Sequence, residues 1–275
     1  MYKALIFDFD STLVDYHAGD GRAIESLLSL LPRKIDSIAF TDTSVQVLWD
    51  LYDGRRRLDG NLHEARFRYT FEHFKIDWDD RYLQVWLEVY LKTVPVYAGV
   101  RALFERLHRQ VPLALLTNAI DTDEQRQRIR VSGLESFFEV VGIAQEIGWF
   151  KPQPEAFYWV AQRLGVQPEE CIFIGDSEAH DIAGALVAGM YAIRRVKPAA
   201  DQPASWLVNE QKAMSATFPV DQAGASTGKS KPDLSTAAHA SFSHYHELPR
   251  LLQGLIDDQI VAGLAGSLVS PVPGN

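Results

Sequence analysis

The chain has 275 residues, of which 47% are hydrophobic and 23% are charged, an ordinary balance for a folded globular protein. Its formal net charge of -9 argues against a protein that grips a nucleic acid backbone, because such proteins carry a basic face. The single cysteine, Cys171, excludes an intramolecular disulfide, and no apolar run reaches the roughly 18 residues that span a membrane. We therefore expect a cytoplasmic protein with neither a membrane nor a nucleic acid polymer as partner.

Short apolar runs predict the strands of a sheet that is covered on both faces. Such strands are apolar throughout rather than alternating, which is typical of parallel sheets. In chain order the runs are Ala4 to Phe7, Leu113 to Leu116, Phe138 to Val141, Cys171 to Ile174 and Tyr191 to Ile193.

Helical patterns separate these runs, and glycines that follow three of them are stop signals. Thr122 is a candidate N-cap for the second helix. The alternation of strand and helix predicts an α/β fold with a doubly wound parallel sheet. The predicted helices are Val100 to Arg109, Asp123 to Val131, Glu155 to Leu164, Ala179 to Ala188 and, after the chain rejoins the core at Ala240 to Phe242, His246 to Ile256.

Two regions depart from this alternation and suggest the domain organisation. Residues 15–94 are helical in pattern throughout, so they predict a helical domain inserted into a core formed by residues 1–14 and 95–258. Residues 198–238 are rich in Ala, Ser, Pro, Gln and Lys and predict a flexible surface insertion, while residues 259–275 predict a loose tail. The helices predicted in the inserted domain are Gly21 to Leu31, Ser44 to Tyr52, His63 to Phe74 and Asp79 to Leu91.

Asp8 and Asp10 directly follow the first predicted strand. Two carboxylates at this spacing can both face one site, where one attacks as a nucleophile while the other transfers protons. The alternative is an ordinary turn, since Asp and Ser are frequent in turns.

Three later segments carry side chains that suit a phosphoryl group and a cation. Thr117 and Asn118 follow the second strand and offer a hydroxyl and backbone N–H groups, and Lys151 precedes a helix and can neutralise charge. Asp176 and Asp181 follow the fourth strand and offer the hard oxygen ligands that Mg²⁺ prefers. Each segment alone also fits a strand exit, a surface lysine or a helix cap. Together they should meet, because the carboxyl ends of parallel strands share one edge of a sheet.

These four segments resemble motifs one to four of the haloacid dehalogenase (HAD) superfamily, and residues 15–94 resemble its helical C1-type cap. The resemblance implies a Rossmann-like core with strand order 5-4-1-2-3. Residues 60–67 and 146–157 are similar to the branch that contains nucleotide 5′-phosphatases and acylneuraminate phosphate phosphatases.

The resemblance also implies a magnesium-dependent phosphatase that acts on a small phosphorylated metabolite, such as a nucleotide or a sugar phosphate, through an aspartyl-phosphate. By this resemblance Asp8 is the nucleophile and a metal ligand, and Asp10 is the acid/base and binds the metal through its backbone carbonyl. The remaining implied roles are phosphoryl binding by Thr117 and the Asn118 amide, charge compensation by Lys151, metal ligation by Asp176 and support of the metal by Asp181.

Asp10 argues against the dehalogenase branch, which attacks carbon and typically carries a tyrosine at that position. Two alternatives stay open. A phosphomutase of the same superfamily shares all four motifs, and a catalytically idle module with the same fold would only bind its partner.

Overall fold

The computed structural model describes residues 1–52, 54–197 and 237–257. They form two compact units, one made of Met1–Asp15 with residues 95–197 and 237–257, the other of residues 16–94. The predicted insertion, apart from residues 237 and 238, and the predicted tail lie outside the described residues. Within the described ranges, no helix combines the length and apolar character needed to cross a bilayer.

The first unit is built on a sheet of six parallel strands in the order β3-β2-β1-β4-β5-β6. Strands β1, β2 and β4 are buried over their whole length, as the continuous apolar runs predict. The parallel α/β fold is therefore confirmed, with β6 added at one edge. The strands are β1 (Ala4–Phe7), β2 (Leu113–Thr117), β3 (Val140–Ile143), β4 (Cys171–Gly175), β5 (Tyr191–Arg195) and β6 (Ala240–Phe242).

Helices cover both faces of this sheet. On one face the Phe157 ring packs against Phe173 of β4 with 5.0 Å between centroids, and on the other Phe104 packs against Phe7 of β1 at 4.9 Å. Single 3-10 turns at Glu135–Phe137 and Pro168–Glu170 precede β3 and β4. The α-helices, numbered after the four of the second unit, are α5 (Val100–Leu107), α6 (Thr122–Ser132), α7 (Ala144–Ile147), α8 (Pro154–Leu164), α9 (Ala183–Val187) and α10 (Leu248–Leu252).

The second unit is helical, with α1 packed on α4 and α2 on α3 around an aromatic core. Inside it Arg66 and Asp20 form a buried ion pair at 2.6 Å, and hydrogen bonds from Arg66 to Ser44 and from Trp86 to Asp20 satisfy their remaining polar atoms. A buried charge pair is tolerated only when it is hydrogen-bonded in this way. The helices are α1 (Tyr16–Leu28), α2 (Ser37–Tyr52), α3 (Leu62–Phe74) and α4 (Asp80–Lys92).

Several predicted boundaries are wrong. The strand predicted from Phe138 begins at Val140, because the preceding 3-10 turn binds the Phe138 N–H and its aromatic residues pack on Phe104. The N-cap of α6 is Asp121 rather than Thr122, since the Asp121 carboxylate accepts the N–H of Glu124.

Helices also differ from their predicted ranges in both units. The helix predicted from Ala179 to Ala188 is divided into a π-helical turn, Glu178–Ile182, and the short α9. Helix α10 ends at Leu252 because Gln253 adopts an extended conformation. In the second unit, α2 begins at Ser37 instead of Ser44, and α1 spans Tyr16–Leu28 instead of Gly21 to Leu31.

A glycine in α9 makes a testable prediction about the packing of this helix. A Cβ atom at Gly184 would overlap the Phe157 ring and lie 2.9 Å from the Cα of Pro152. We expect Gly184→Ala to destabilise the protein by about 1–3 kcal/mol, the usual cost of overpacking a core. The control is Gly21→Ala in α1, where no atom lies within 4 Å and alanine should stabilise by about 0.5–1 kcal/mol. Urea denaturation measures both, and equal midpoints would contradict the prediction.

Candidate active site

The carboxyl ends of β1, β2 and β4 bring the predicted site residues to one edge of the sheet. Asp8 directly follows β1, and its N–H donates to the Ile174 carbonyl of β4 at 2.9 Å. Thr117 is the last residue of β2, and Asp176 directly follows β4. This adjacency follows from the pairing of β1 with both neighbours.

Asp8, Lys151, Asp176 and Asp181 form what we call the carboxylate–lysine cluster. The Lys151 ammonium lies 2.6 Å from Oδ1 of Asp8 and 2.6 Å from Oδ1 of Asp181. The lysine side chain is only 2% exposed. Carboxylate oxygens of all three aspartates lie within 4.8 Å of one another.

Local backbone geometry places Asp181 in this cluster. Its Oδ2 accepts the N–H groups of Asp176 at 3.1 Å and Ser177 at 3.0 Å. The side chain lies against Gly175, where a Cβ atom would come within 2.5 Å of the carboxylate. The π-helical turn adds one residue to the helical turn that carries Asp181, and π-helical turns are frequent at functional sites.

Asn118 holds the backbone of Lys151. Its Oδ1 accepts the Lys151 N–H and its Nδ2 donates to the Lys151 carbonyl, both at 2.9 Å. The following peptide bond, Lys151–Pro152, is cis. The side-chain amide of Asn118 is thus engaged in placing the lysine, so the predicted phosphoryl contact rests on its backbone N–H.

Charge and burial act against each other in the cluster. Burial raises the pKa of the Asp8 carboxyl well above its ordinary value, against the lowering effect of Lys151, and the charges of Asp181 and Asp176 raise it further. For Lys151, burial lowers the pKa, but the charges of Asp181 and Asp8 outweigh it and raise the pKa above its ordinary value. The lysine therefore remains an ammonium and the cluster favours added positive charge.

The donor set fits a hard divalent cation. Carboxylate oxygens are the protein ligands that Mg²⁺ prefers, and few of them are needed because water and substrate complete the octahedron. Asp8 and Asp176 are the candidate ligands. Asp181 suits a supporting role, since its two oxygens are engaged by Lys151 and by two backbone N–H groups.

Asp10 lies in a second group of side chains that the sequence reading missed. Arg128 of α6 binds both of its carboxylate oxygens, and Gln125 donates to Asp10 Oδ2 at 3.0 Å and to Thr117 Oγ1 at 3.1 Å. The available signal was polar residues at the buried face of α6, where Gln125, Arg128 and Ile129 recur at helical spacing.

The loop after Asp10 is held by residues that lie more than 180 positions later in the chain. Arg195 of β5 donates to the Ser11 carbonyl at 2.6 Å, and the Tyr245 hydroxyl donates to the Thr12 carbonyl at 2.7 Å. Thr12 in turn donates its hydroxyl to Oδ1 of Asp176 at 3.3 Å. Neither Arg195 nor Tyr245 was singled out from the sequence, because nothing in the local pattern indicates these long-range contacts.

Comparisons with known proteins identify sequences similar to this chain. Residues 2–189 match the family described as haloacid dehalogenase-like hydrolase. The chain is 28% identical over 200 residues to N-acylneuraminate-9-phosphatase from Homo sapiens, covering 69% of this chain and 80% of the relative. It is 31% identical over 198 residues to the pyrimidine 5′-nucleotidase PynA from Streptococcus pneumoniae, covering 70% and 83%.

Solved structures support the fold. The HAD-hydrolase YfnB from Bacillus subtilis, solved bound to magnesium, has a TM-score of 0.67 at 22% identity, with 92% of this chain and 99% of that chain covered. An L-2-haloacid dehalogenase from Xanthobacter autotrophicus has a TM-score of 0.65 at 19% identity, with coverage of 93% and 100%. At these identities the likeness supports the architecture alone.

The close approach of Asp181 to Gly175 makes a prediction about cation binding. We expect Gly175→Ala to displace the Asp181 carboxylate and to weaken binding of Mg²⁺ by roughly 10–100-fold, the usual loss when a supporting group around a metal is disturbed. Isothermal titration calorimetry with magnesium chloride measures the change. The matched control is Gly142→Ala in β3, where the nearest side-chain atoms lie 3.3 Å away and belong to Leu116 and Val160, outside the cluster. Unchanged affinity in Gly175→Ala would contradict the placement of Asp181.

Proposed function

Since the chain belongs to the haloacid dehalogenase-like hydrolase family, we propose that it is a magnesium-dependent phosphatase that hydrolyses a small phosphorylated metabolite through an aspartyl-phosphate on Asp8. Family membership confirms the resemblance drawn from the motifs and the prediction of a hydrolase, and the phosphatases among its relatives support phosphoric monoester hydrolysis. The single observation that carries the proposal is the carboxylate–lysine cluster, in which a buried carboxylate lies beside a lysine and two further aspartates.

The reaction follows from the chemistry of these side chains. A carboxylate oxygen of Asp8 attacks phosphorus, and the bond from phosphorus to the leaving oxygen breaks as Asp10 donates a proton to that oxygen. Water then attacks the phosphorus of the aspartyl-phosphate and gives its proton to Asp10. The bond between phosphorus and Asp8 breaks, which releases inorganic phosphate and restores the carboxylate.

Charge neutralisation is the main demand of phosphoryl transfer. Lys151 meets part of this demand, because it already lies 2.6 Å from the Asp8 carboxylate. Asp8, the Asp10 backbone carbonyl and Asp176 would hold Mg²⁺, with Asp181 as support. When bound, this ion supplies positive charge that offsets the negative charge of the phosphoryl group. Thr117 and the Asn118 backbone N–H are assigned to the phosphoryl oxygens.

The substrate class is a small phosphate monoester. One relative is named for N-acylneuraminate 9-phosphate and another for pyrimidine 5′-nucleotides, so a sugar phosphate or a nucleotide is the substrate we infer. We assign residues 16–94 to the helical cap that the resemblance implies and expect this unit to select among such substrates.

Removal of the nucleophile tests the proposal directly. We expect Asp8→Asn to lower kcat for para-nitrophenyl phosphate by a factor on the order of 10⁶, the loss seen when a hydrolase loses its nucleophile. Acid-quenched wild-type protein should carry a radiolabelled phosphoryl group that Asp8→Asn lacks. Glu105→Gln, an exposed acidic residue of α5, is the control and should leave the rate unchanged. Phosphatase activity that survives in Asp8→Asn would exclude Asp8 as nucleophile.

Magnesium should also move the acidic limb of the pH profile. Burial raises the pKa of Asp8, so the carboxylate needed for attack is lost as pH falls through that raised pKa. A bound cation competes with the proton at this carboxyl. Above the concentration that half-saturates the ionised site, each tenfold rise in Mg²⁺ should therefore move the limb to lower pH by about one unit. The profile of kcat/KM at several magnesium concentrations measures this shift. If the acidic limb does not move as the magnesium concentration is raised, the proton and the cation do not compete for the Asp8 carboxyl.

A further inference from the structure

Arg128 is a buried arginine that the reaction above does not use. Its side chain is 3% exposed, and its two terminal nitrogens bind Asp10, with Nη1 at 2.9 Å from Oδ2 and Nη2 at 2.5 Å from Oδ1. The other arginines of α6 are outward and exposed: Arg126 pairs with Glu146, and Arg130 lies 3.9 Å from Glu135. Arg128 thus differs from the other arginines of this helix, because it is buried and binds the Asp10 carboxylate.

Gln125 completes the arrangement from the preceding turn of α6. Its Nε2 donates to Asp10 Oδ2 at 3.0 Å and to Thr117 Oγ1 at 3.1 Å, while its Oε1 accepts from Arg128 Nη1 at 3.0 Å. Residues three apart lie on the same helical face, which explains why both side chains reach the same carboxylate. The network therefore joins Asp10 to Thr117, the residue assigned to phosphoryl oxygens.

The hydrogen bonds that Asp10 accepts determine which of its lone-pair sites remains for proton transfer. A carboxylate offers about four lone-pair sites, two on each oxygen. In the described part of the chain, Oδ2 accepts two hydrogen bonds, from Arg128 and Gln125, and Oδ1 accepts one, from Arg128. The remaining site is on Oδ1. The two-point contact with a guanidinium also fixes the plane of the carboxyl group.

We propose that Arg128 and Gln125 are positioning residues for the acid/base, which orient Asp10 so that Oδ1 carries the transferable proton. This inference rests on the proposed function, in which Asp10 protonates the leaving oxygen. In the first step the proton leaves Oδ1 for that oxygen, and in the second a proton from the attacking water returns to Oδ1. The guanidinium and the amide keep their own protons throughout.

Leaving-group dependence separates acid positioning from a merely structural role. Phenyl phosphate and para-nitrophenyl phosphate are similar in size, but phenolate is the poorer leaving group and depends more on protonation. The parameter kcat/KM reports steps up to departure of the phenol, so it isolates the first proton transfer. Loss of positioning should therefore lower kcat/KM much more for phenyl phosphate.

The test compares Arg128→Met, Gln125→Leu and Asp10→Asn with wild type at saturating magnesium. We expect Arg128→Met to lower kcat/KM for phenyl phosphate by about 10²-fold, the cost of a misplaced catalytic group, and for para-nitrophenyl phosphate by less than about tenfold. Asp10→Asn should show the same pattern more strongly. Gln125→Leu should show a smaller loss with the same substrate dependence. This variant replaces Arg128→Met as the test if Arg128→Met does not fold. The control Arg130→Met, an exposed arginine of the same helix, should leave both values unchanged.

Two outcomes would overturn the inference. An equal loss on both substrates would make Arg128 a structural or binding residue, and a gain on phenyl phosphate would mean that Arg128 withholds Asp10 from the reaction. Failure of the proposed function is distinguishable, because wild type would then hydrolyse neither substrate or Asp8→Asn would retain activity.

Discussion

The site depends on one buried lysine that bonds to two buried carboxylates. Lys151 contacts Asp8 and Asp181, and Asp176 shares their cluster. Three carboxylates thus lie beside one ammonium, in an environment where burial penalises charge. In the proposed function, a divalent cation would offset the negative charge of these carboxylates. The charge of this cluster therefore supports the proposed binding of a hard, oxygen-preferring cation.

The surrounding fold serves mainly to hold this lysine and these carboxylates together. The pairing of β1 with β4 fixes Asp8 beside Asp176, and the absence of a side chain at Gly175 makes room for Asp181. Lys151 lies in a loop, where a flexible chain would ordinarily leave its position poorly defined. Two hydrogen bonds between the Asn118 side chain and the Lys151 backbone, one donated and one accepted by the amide, remove that freedom. Rotamer and backbone entropy are therefore lost on folding rather than during catalysis, which is the physical meaning of preorganisation.

Sequence reasoning was reliable where a feature is local and incomplete where it depends on distant contacts. Continuous apolar runs predicted five strands because burial on both faces demands them. The order of those strands came from the resemblance to a family, not from the pattern itself. The contact of Arg128 with Asp10 spans 118 residues and that of Asn118 with Lys151 spans 33, so no spacing rule could reveal either. The π-helical turn at Asp181 was not predicted either, because one added residue does not change the apolar periodicity enough to be seen in the sequence.

The loop that carries Asp10 and Thr12 is held from two sides, and one of them lies beyond the part of the chain that matches the family. Arg195 and Tyr245 follow residue 189, where the match ends, yet both donate to carbonyls of this loop. Arg195 also lies over the Tyr97 ring at 3.6 Å, and burial raises the pKa of the Tyr245 hydroxyl, which keeps it a neutral donor. Ser11 adopts a positive φ of 64°, a conformation that costs a non-glycine residue energy unless its surroundings enforce it. The hydrogen bonds from Arg195 to the Ser11 carbonyl and from the Ser11 N–H to the Val14 carbonyl both hold this residue. Asp10, the proposed acid/base, is therefore held by α6 through its side chain, and the loop that follows it is held by Arg195 and Tyr245 through backbone carbonyls. In the proposed mechanism, a change in either support should disturb the same proton transfer.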